Sequence, residues 1–438
     1  MTNSLQIEWV NHASFIIDTG HVRLMSDPWL FGSAFNNGWD LLCETKFAID
    51  DFCSITHIWF SHEHPDHFAP SVLKQIPEEI RRQIIVLFQE TNDRKVIGYC
   101  SSLGFQIQEL RNHEWFNLSP DLRIMCGKVP FFDSWLLVET HNTKILNIND
   151  CVVDGEGIAT EIVRHTGRVD LLFTQFSYAN WEGNPDEVER RRASAQEKLA
   201  RVKIQVETFQ PKYTIPFASF IYFSHEENAF CNDAINTIQD AYEFIQAQCE
   251  SQSIILYPGD RWIVGVEHDN HAALATYAKA SERTPKPLRQ TESISLTELA
   301  DLGNHYIERV QKKNSRLFIW LLSLPPLRYF ETLTFQLVDH DQVVAFDLRN
   351  SLRVVKKGAD QADIVLSSES LAFVFRHDWG FDTLTVNGRF QASQHNYKRM
   401  IKAFFLGSLN NTGRALHPKT LFEPSFIKRA LGKLRNVG

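Results

Sequence analysis

Long apolar runs are missing from this chain. The longest, Leu317 to Leu327, holds eleven residues and closes on Pro325, Pro326 and Leu327. A membrane-spanning helix needs ~20, so this run reads as a buried segment instead. Cysteine patterning is missing too. Cys43, Cys53, Cys100, Cys126, Cys151, Cys231 and Cys249 are scattered, with no CxxC, Cys-x-His or Cys-x-x-His pair. An odd, dispersed set, together with the polar start Met1-Thr2-Asn3-Ser4-Leu5-Gln6, fits a cytoplasmic protein without signal peptide or disulfides. A basic excess is absent as well: the net charge of −8 gives no support for nucleic acid as a partner. What is present is ordinary for a globular chain. With 438 residues, 43% hydrophobic and 22% charged, there is material for two cores.

Histidine is concentrated where chemistry would need it. Residues 61–67, directly after the apolar run Ile55 to Phe60, contain His62, His64, Asp66 and His67. A strand that ends in a tight loop aims alternate side chains, His62 and His64, at one cation. Asp66 and His67 then turn toward a second cation roughly 3.5–4 Å away. A solvated loop that is merely histidine-rich is the alternative, but four donors of these types at this spacing are hard to explain as packing. His12, His57 and His113 read as structural, because strand context and apolar neighbours account for them.

The His-x-His-x-Asp-His pattern after an Ile-Thr-His-Ile strand resembles the metallo-β-lactamase superfamily. The resemblance extends over about residues 5 to 265, from Asn11-His12-Ala13-Ser14 and Asp27-Pro28-Trp29 onward. It implies a four-layer αβ/βα sandwich with a dinuclear metal centre, whose further donors come from distant strands. Asp133 stands where the superfamily usually supplies its next histidine, Asp150 ends a strand where a metal-bridging aspartate is usual, and His225 follows a strand like the one that delivers the last histidine. The implied set is therefore His62, His64 and Asp133 on one metal and Asp66, His67 and His225 on the other. Asp150 stands between them, and Asp66 and Asp150 are the catalytic carboxylates. Asp27 reads either as a hydrogen-bond acceptor that orients a ligand histidine or as a turn-initiating Asp-Pro.

A narrower resemblance, carried by Asp27 to Leu30, Asp133-Ser134, Leu146 to Cys151, Asp170 to Ser177 and Pro216 to Phe220, is to the CMP-N-acetylneuraminic acid hydroxylase and UDP-N-acetylmuramic acid hydroxylase group. It implies two metal ions, iron favoured over zinc or manganese, with O2 as co-substrate and a nucleotide-linked sugar as the small-molecule substrate. That group draws electrons through a Rieske cluster, whose cysteine and histidine pairs are not found in this sequence. An external reductase is then the expected donor. The competing reading is a dizinc hydrolase acting on an ester, amide or phosphodiester.

Residues 1–280 are expected to form the metal-binding domain and 290–438 a C-terminal α+β domain, loosely sterol-carrier-like. The latter expectation rests on a helix around 296–313, two alternating strands around Asp339-His340-Asp341, and a helix near 369–377. Within the first domain, Asp186 to Glu207 reads as a charged helix whose Arg190-Arg191-Arg192 would face solvent or pair with a substrate phosphate. Residues 425–435 read as a basic amphipathic helix, docked on the protein's own core or lying on a membrane surface.

Overall fold

The computed structural model describes residues 5–129, 133–140, 142–153, 155, 157–282, 288–356, 358 and 361–417. The proposed basic helix at 425–435 lies outside the described residues. Contacts divide the chain into two compact units. The first comprises residues up to 179, 188–224 and 231–288; the second comprises 180–187, 225–230 and residues from 289 on. Two short upstream pieces thus fold with the second unit, which no single linear boundary anticipates. All seven cysteines are free thiols, and no helix among the described residues is long and apolar enough to cross a membrane.

Two seven-stranded sheets build the first unit. One runs Arg261–Ile263, Gln6–Asn11, Ser14–Asp18, Arg23–Ser26, His57–Phe60, Ile85–Gln89, Gln106–Leu110. The other runs Gln252–Ser253, Tyr213–Phe217, Leu171–Gln175, Lys144–Asn147, Ser134–Thr140, Leu122–Lys128, Trp115–Ser119. His57–Phe60 is buried along its whole length, as expected of a central parallel strand covered on both faces. One set of its side chains, with Trp59, meets the second sheet in a core that also holds Phe15, Leu24, Leu136 and Phe173. Phe15 and Phe173 stack across the two sheets at 3.8 Å between ring centroids.

The outer faces are covered by helices. Leu137, Leu146 and Leu172 of the second sheet pack with Ile162 and with Val202, Val206 and Phe209 from helix Val188–Phe209. Helix Lys95–Ser102 packs on the first sheet at Ile85–Gln89 and Gln106–Leu110. The result is helix, sheet, sheet, helix, in agreement with the four layers expected. In helix Val188–Phe209 the Arg191 guanidinium is fully buried and donates to the Asp233 carboxylate at 2.8 and 2.6 Å, while Arg192 pairs with Glu189. Arg191 is thus neither a solvated cation nor a phosphate ligand, because its charge is neutralised inside the unit.

The second unit holds a five-stranded sheet, Arg353–Val355, Gln342–Phe346, Leu333–Leu337, Ile364–Leu366, Gln391–Ala392. Leu333, Phe335 and Leu337 alternate inward onto a core with Leu299, Tyr306 and Ile307 of helix Leu296–Lys313. Ser295 and Ser367 cap the helices that follow them by accepting from the backbone N–H three residues on, the usual stabilising arrangement for a helix start. The run Leu317 to Leu327 departs from its expected burial. Only Ile319 and Ser323 of helix Arg316–Ser323 are buried, and Leu317, Trp320, Leu321 and Leu327 are exposed. An eight-residue helix ending at a proline pair turns one side inward, and its length of apolar sequence could not reveal which.

Gly127 sets how closely the second sheet packs. It lies directly opposite Trp135 in the register of Leu122–Lys128 with Ser134–Thr140, and a Cβ built there would sit 2.0 Å from the indole ring. Gly127→Ala is expected to destabilise the protein by roughly 1–3 kcal/mol through this overpacking, read as a lowered thermal unfolding midpoint; an unchanged midpoint would show that the indole moves freely.

Candidate metal centre

The loop after His57–Phe60 is held by one carboxylate. Parallel pairing of Arg23–Ser26 with His57–Phe60 sets Ser26 beside Trp59, and the Asp27 N–H donates to the Trp59 carbonyl at 3.0 Å. Asp27, completely buried, therefore faces the start of the loop. It accepts from the Ser61 N–H at 2.8 Å and the Ser61 hydroxyl at 2.8 Å, and its Oδ2 lies 3.1 Å from His67 Nδ1. The turn then closes through His67 N–H and Phe68 N–H, which both donate to the His64 carbonyl. With Nδ1 of His67 engaged by Asp27, its Nε2 is the nitrogen turned to the centre, the arrangement by which an outer carboxylate orients a ligand imidazole.

Two donor trios result. In each, the donor atoms lie within 4.8 Å of one another: His12, Asp66 and His67 in one, His62, His64 and Asp150 in the other. Asp66 Oδ2 is 3.3 Å from both His12 Nε2 and His67 Nε2. Asp150 Oδ2 reaches toward both trios, 3.4 Å from His67 Nε2 and 4.0 Å from His62 Nε2. Its other oxygen, Oδ1, accepts from Gln175 Nε2 at 3.1 Å, and Gln175 Oε1 accepts from Lys198 Nζ at 2.6 Å.

Five of the residues expected at the centre, His62, His64, Asp66, His67 and Asp150, are thus brought together. Asp133 is adjacent but in neither trio: its Oδ1 is 3.5 Å from His62 Nδ1, the outer nitrogen of that ring, which Ser61 and Asn149 also face. His225 belongs to the second unit. There its Nδ1 accepts from the Glu227 N–H at 3.2 Å and its Nε2 is 3.9 Å from Glu369; neither trio includes it. His12, read as structural, is the residue the sequence reading passed over. It sits where the Gln6–Asn11 and Ser14–Asp18 strands join, with φ +44°, a local pattern that a packed histidine and a ligating one share.

The carboxylates and imidazoles of the two trios shift one another's ionisation. Burial disfavours the charged form of His67, yet Asp66 and Asp150 outweigh it and hold the imidazole well above its ordinary pKa. Burial likewise opposes ionisation of Asp150, but His67 and His62 bring its carboxyl down to about 2. Asp66 is held well below the carboxylate range against burial by His67 and His12. His62 is pushed well below its usual value by burial and by His67 and His64. Asp133 is pushed up to about 7 by burial and by the neighbouring Asp150 charge. The buried Nε2 atoms of His62 and His67 and Oδ1 of Asp66 find no hydrogen bond among the described residues. Inward-facing nitrogen and oxygen donors are what divalent cations coordinate, so the residues fit a pair of metal ions.

Residues 6–149 match the family model described as "Beta-lactamase superfamily domain", so the chain carries such a domain. Over 270 residues it is 27% identical to the cytidine monophosphate-N-acetylneuraminic acid hydroxylase of Danio rerio, covering 56% of this chain and 43% of that protein. The hydroxylase of Cricetulus griseus is 28% identical over 246 residues, covering 52% of this chain and 42% of that protein. The matches thus span less than half the length of these relatives. Among solved structures, CmlA, a diiron β-hydroxylase from Streptomyces venezuelae, is similar with a TM-score of 0.45 and 15% identity over 60% of this chain and 55% of that one.

Two outcomes follow from the geometry. Asp27→Ala removes the acceptor shared by Ser61 and His67, and metal affinity should fall roughly 10–100-fold, measured by competition with a chelator; unchanged affinity would mean His67 needs no orienting partner. In the metal-free protein a raised Asp133 pKa means that the folded state holds more protons than the unfolded one from its ordinary value up to about 7. Asp133 therefore subtracts stability as pH rises through that window. Asp133→Asn should flatten this part of the thermal midpoint against pH between 4 and about 7, and parallel curves for the two proteins would refute it.

Proposed function

We propose that this β-lactamase superfamily domain is the catalytic part of a dinuclear metal-dependent hydroxylase. It would act on an N-acyl or other sugar-type substrate, a nucleotide-linked sugar foremost, with electrons from an external reductase in a cytoplasmic setting. The observation that carries the reading is the likeness, over more than half of the chain, to hydroxylases of cytidine monophosphate-N-acetylneuraminic acid. Two closely spaced trios of donors supply the site such a reaction needs. A pair of iron ions would supply redox chemistry for inserting one atom of O2 into a substrate C–H bond, the other atom leaving as water with two electrons and two protons from the donor.

The chain's own residues have definable parts. His12, Asp66 and His67 would hold one ion and His62, His64 and Asp150 the other. Asp27 fixes the ring of His67, Asp133 faces the outer nitrogen of His62, and Gln175 with Lys198 holds Asp150 in place. The buried rings of Trp29 and Phe35 lie edge-on to His12 and His64 and would keep water from those sides of the donors.

One observation favours a second reading. Four of the six trio donors are imidazoles, which zinc accepts readily, and a zinc pair would lower the pKa of a bridging water for hydrolysis of an ester, amide or phosphodiester. Metal content separates the two. Protein purified anaerobically without added metal should carry two irons per chain, both lost in His64→Ala, and should consume O2 with a CMP-linked N-acyl sugar and a reductase. Zinc alone at full occupancy, with turnover of esters or phosphodiesters and no O2 uptake, would replace the hydroxylase with the hydrolase.

A further inference from the structure

The second unit presents an apolar surface ringed by cations, and its composition is unlike the rest of this acidic chain. From Lys312 to Phe330 the sequence contains no acidic residue and four cations, Lys312, Lys313, Arg316 and Arg328. Helix Arg316–Ser323 lies in its middle. Its inward side is pinned by Ile319 and Ser323, while Leu317, Trp320 and Leu321 are 62%, 51% and 40% exposed and Leu327, past the proline pair, 63%. The surface continues onto helix Gln394–Asn411: Tyr329 packs against Phe405 at 6.2 Å between ring centroids, and Lys402 lies over the Tyr329 ring. Ile401 and Phe405 are exposed beside it.

Scattered exposed leucines need no explanation, but a contiguous apolar group with a polar rim marks an interaction site. We propose that this surface docks peripherally on an anionic phospholipid membrane, with Leu317, Trp320, Leu321 and Leu327 entering the headgroup boundary and Lys313, Arg316, Arg328 and Lys402 facing lipid phosphates, while Lys312 pairs with Glu308. The occupant is chosen by charge. A second copy would bring the same cations against themselves. The chain's own final 21 residues carry five cations and one acid, a charge that would not neutralise the positive rim. A short helix with Trp and Leu on one face and flanking Lys and Arg is suited to lie in the interface of a bilayer, and anionic lipid supplies the opposite sign. The surface is independent of the metal centre, so the hydroxylase and hydrolase readings both leave it unchanged.

The test is sedimentation of the full chain with vesicles of phosphatidylcholine, with and without phosphatidylserine. Binding should require phosphatidylserine, weaken as salt rises, and fall at least about tenfold in Trp320→Glu/Leu321→Glu, with metal content and circular dichroism unchanged. Since Trp320 is to enter the bilayer, brominated lipid should quench the parent's fluorescence more than that of Trp320→Phe, a reading that stands even if the double variant folds poorly. Equal sedimentation of parent and variant, equal quenching of parent and Trp320→Phe, or a lipid-free dimer in light scattering that the double variant dissociates would overturn the proposal.

Discussion

The Asp27 carboxylate is the contact from which the metal centre is built. A fully buried carboxylate is costly unless its oxygens are satisfied, and Asp27 meets this with two donors from Ser61 and the Nδ1 of His67. These same partners start the donor loop and fix the ring at its far end. His62 follows Ser61 directly, Asp66 precedes His67, and both trios are therefore referred to one point at the end of strand Arg23–Ser26. The parallel register that places Ser26 beside Trp59 is what brings that point to the loop, so the sheet determines the site's geometry.

Four of the twelve described non-glycine residues with positive φ lie around the same place. His12, Asp27, Asn149 and Ala218 all have positive φ, between +41° and +53°, a region that non-glycine residues avoid at a cost of roughly 1–3 kcal/mol each. The four lie next to one another in function if not in sequence. His12 and Asp27 hold the first trio, Asn149 precedes Asp150 and faces His62 Nδ1, and the Ala218 N–H donates to the His12 carbonyl. Strain of this kind persists where surrounding contacts over-determine the conformation, and here those contacts belong to the donors themselves.

Much of this was legible in the sequence, for physical reasons that differ by element. His62, His64, Asp66 and His67 are contiguous, so their convergence needed only a strand followed by a turn. Asp150 was legible because it closely follows an apolar strand, Lys144–Asn147, whose hairpin partner Ser134–Thr140 is apolar too. His12 was not, since a single histidine between two apolar strands has the same local pattern whether it packs or coordinates, and only the pairing of distant strands decides. Asp133 and His225 show the same limit: a position along the chain does not say which ring nitrogen a carboxylate will face, or with which compact unit a histidine will fold. The exposure of Trp320 was hidden for a related reason, because a uniformly apolar helix carries no periodic signal for its inward side.

The Lys198 ammonium can only donate, so the Gln175 side chain it touches must present its oxygen there and its amide hydrogens to Asp150. An amide that is free to flip would leave Asp150 free as well. Here the flip is fixed from the far side by a charge on helix Val188–Phe209, and Asp150 Oδ1 accepts from the amide so held. Oδ2 faces His62 and His67, so the orientation of this carboxylate is set from helix Val188–Phe209, on the side away from the donors.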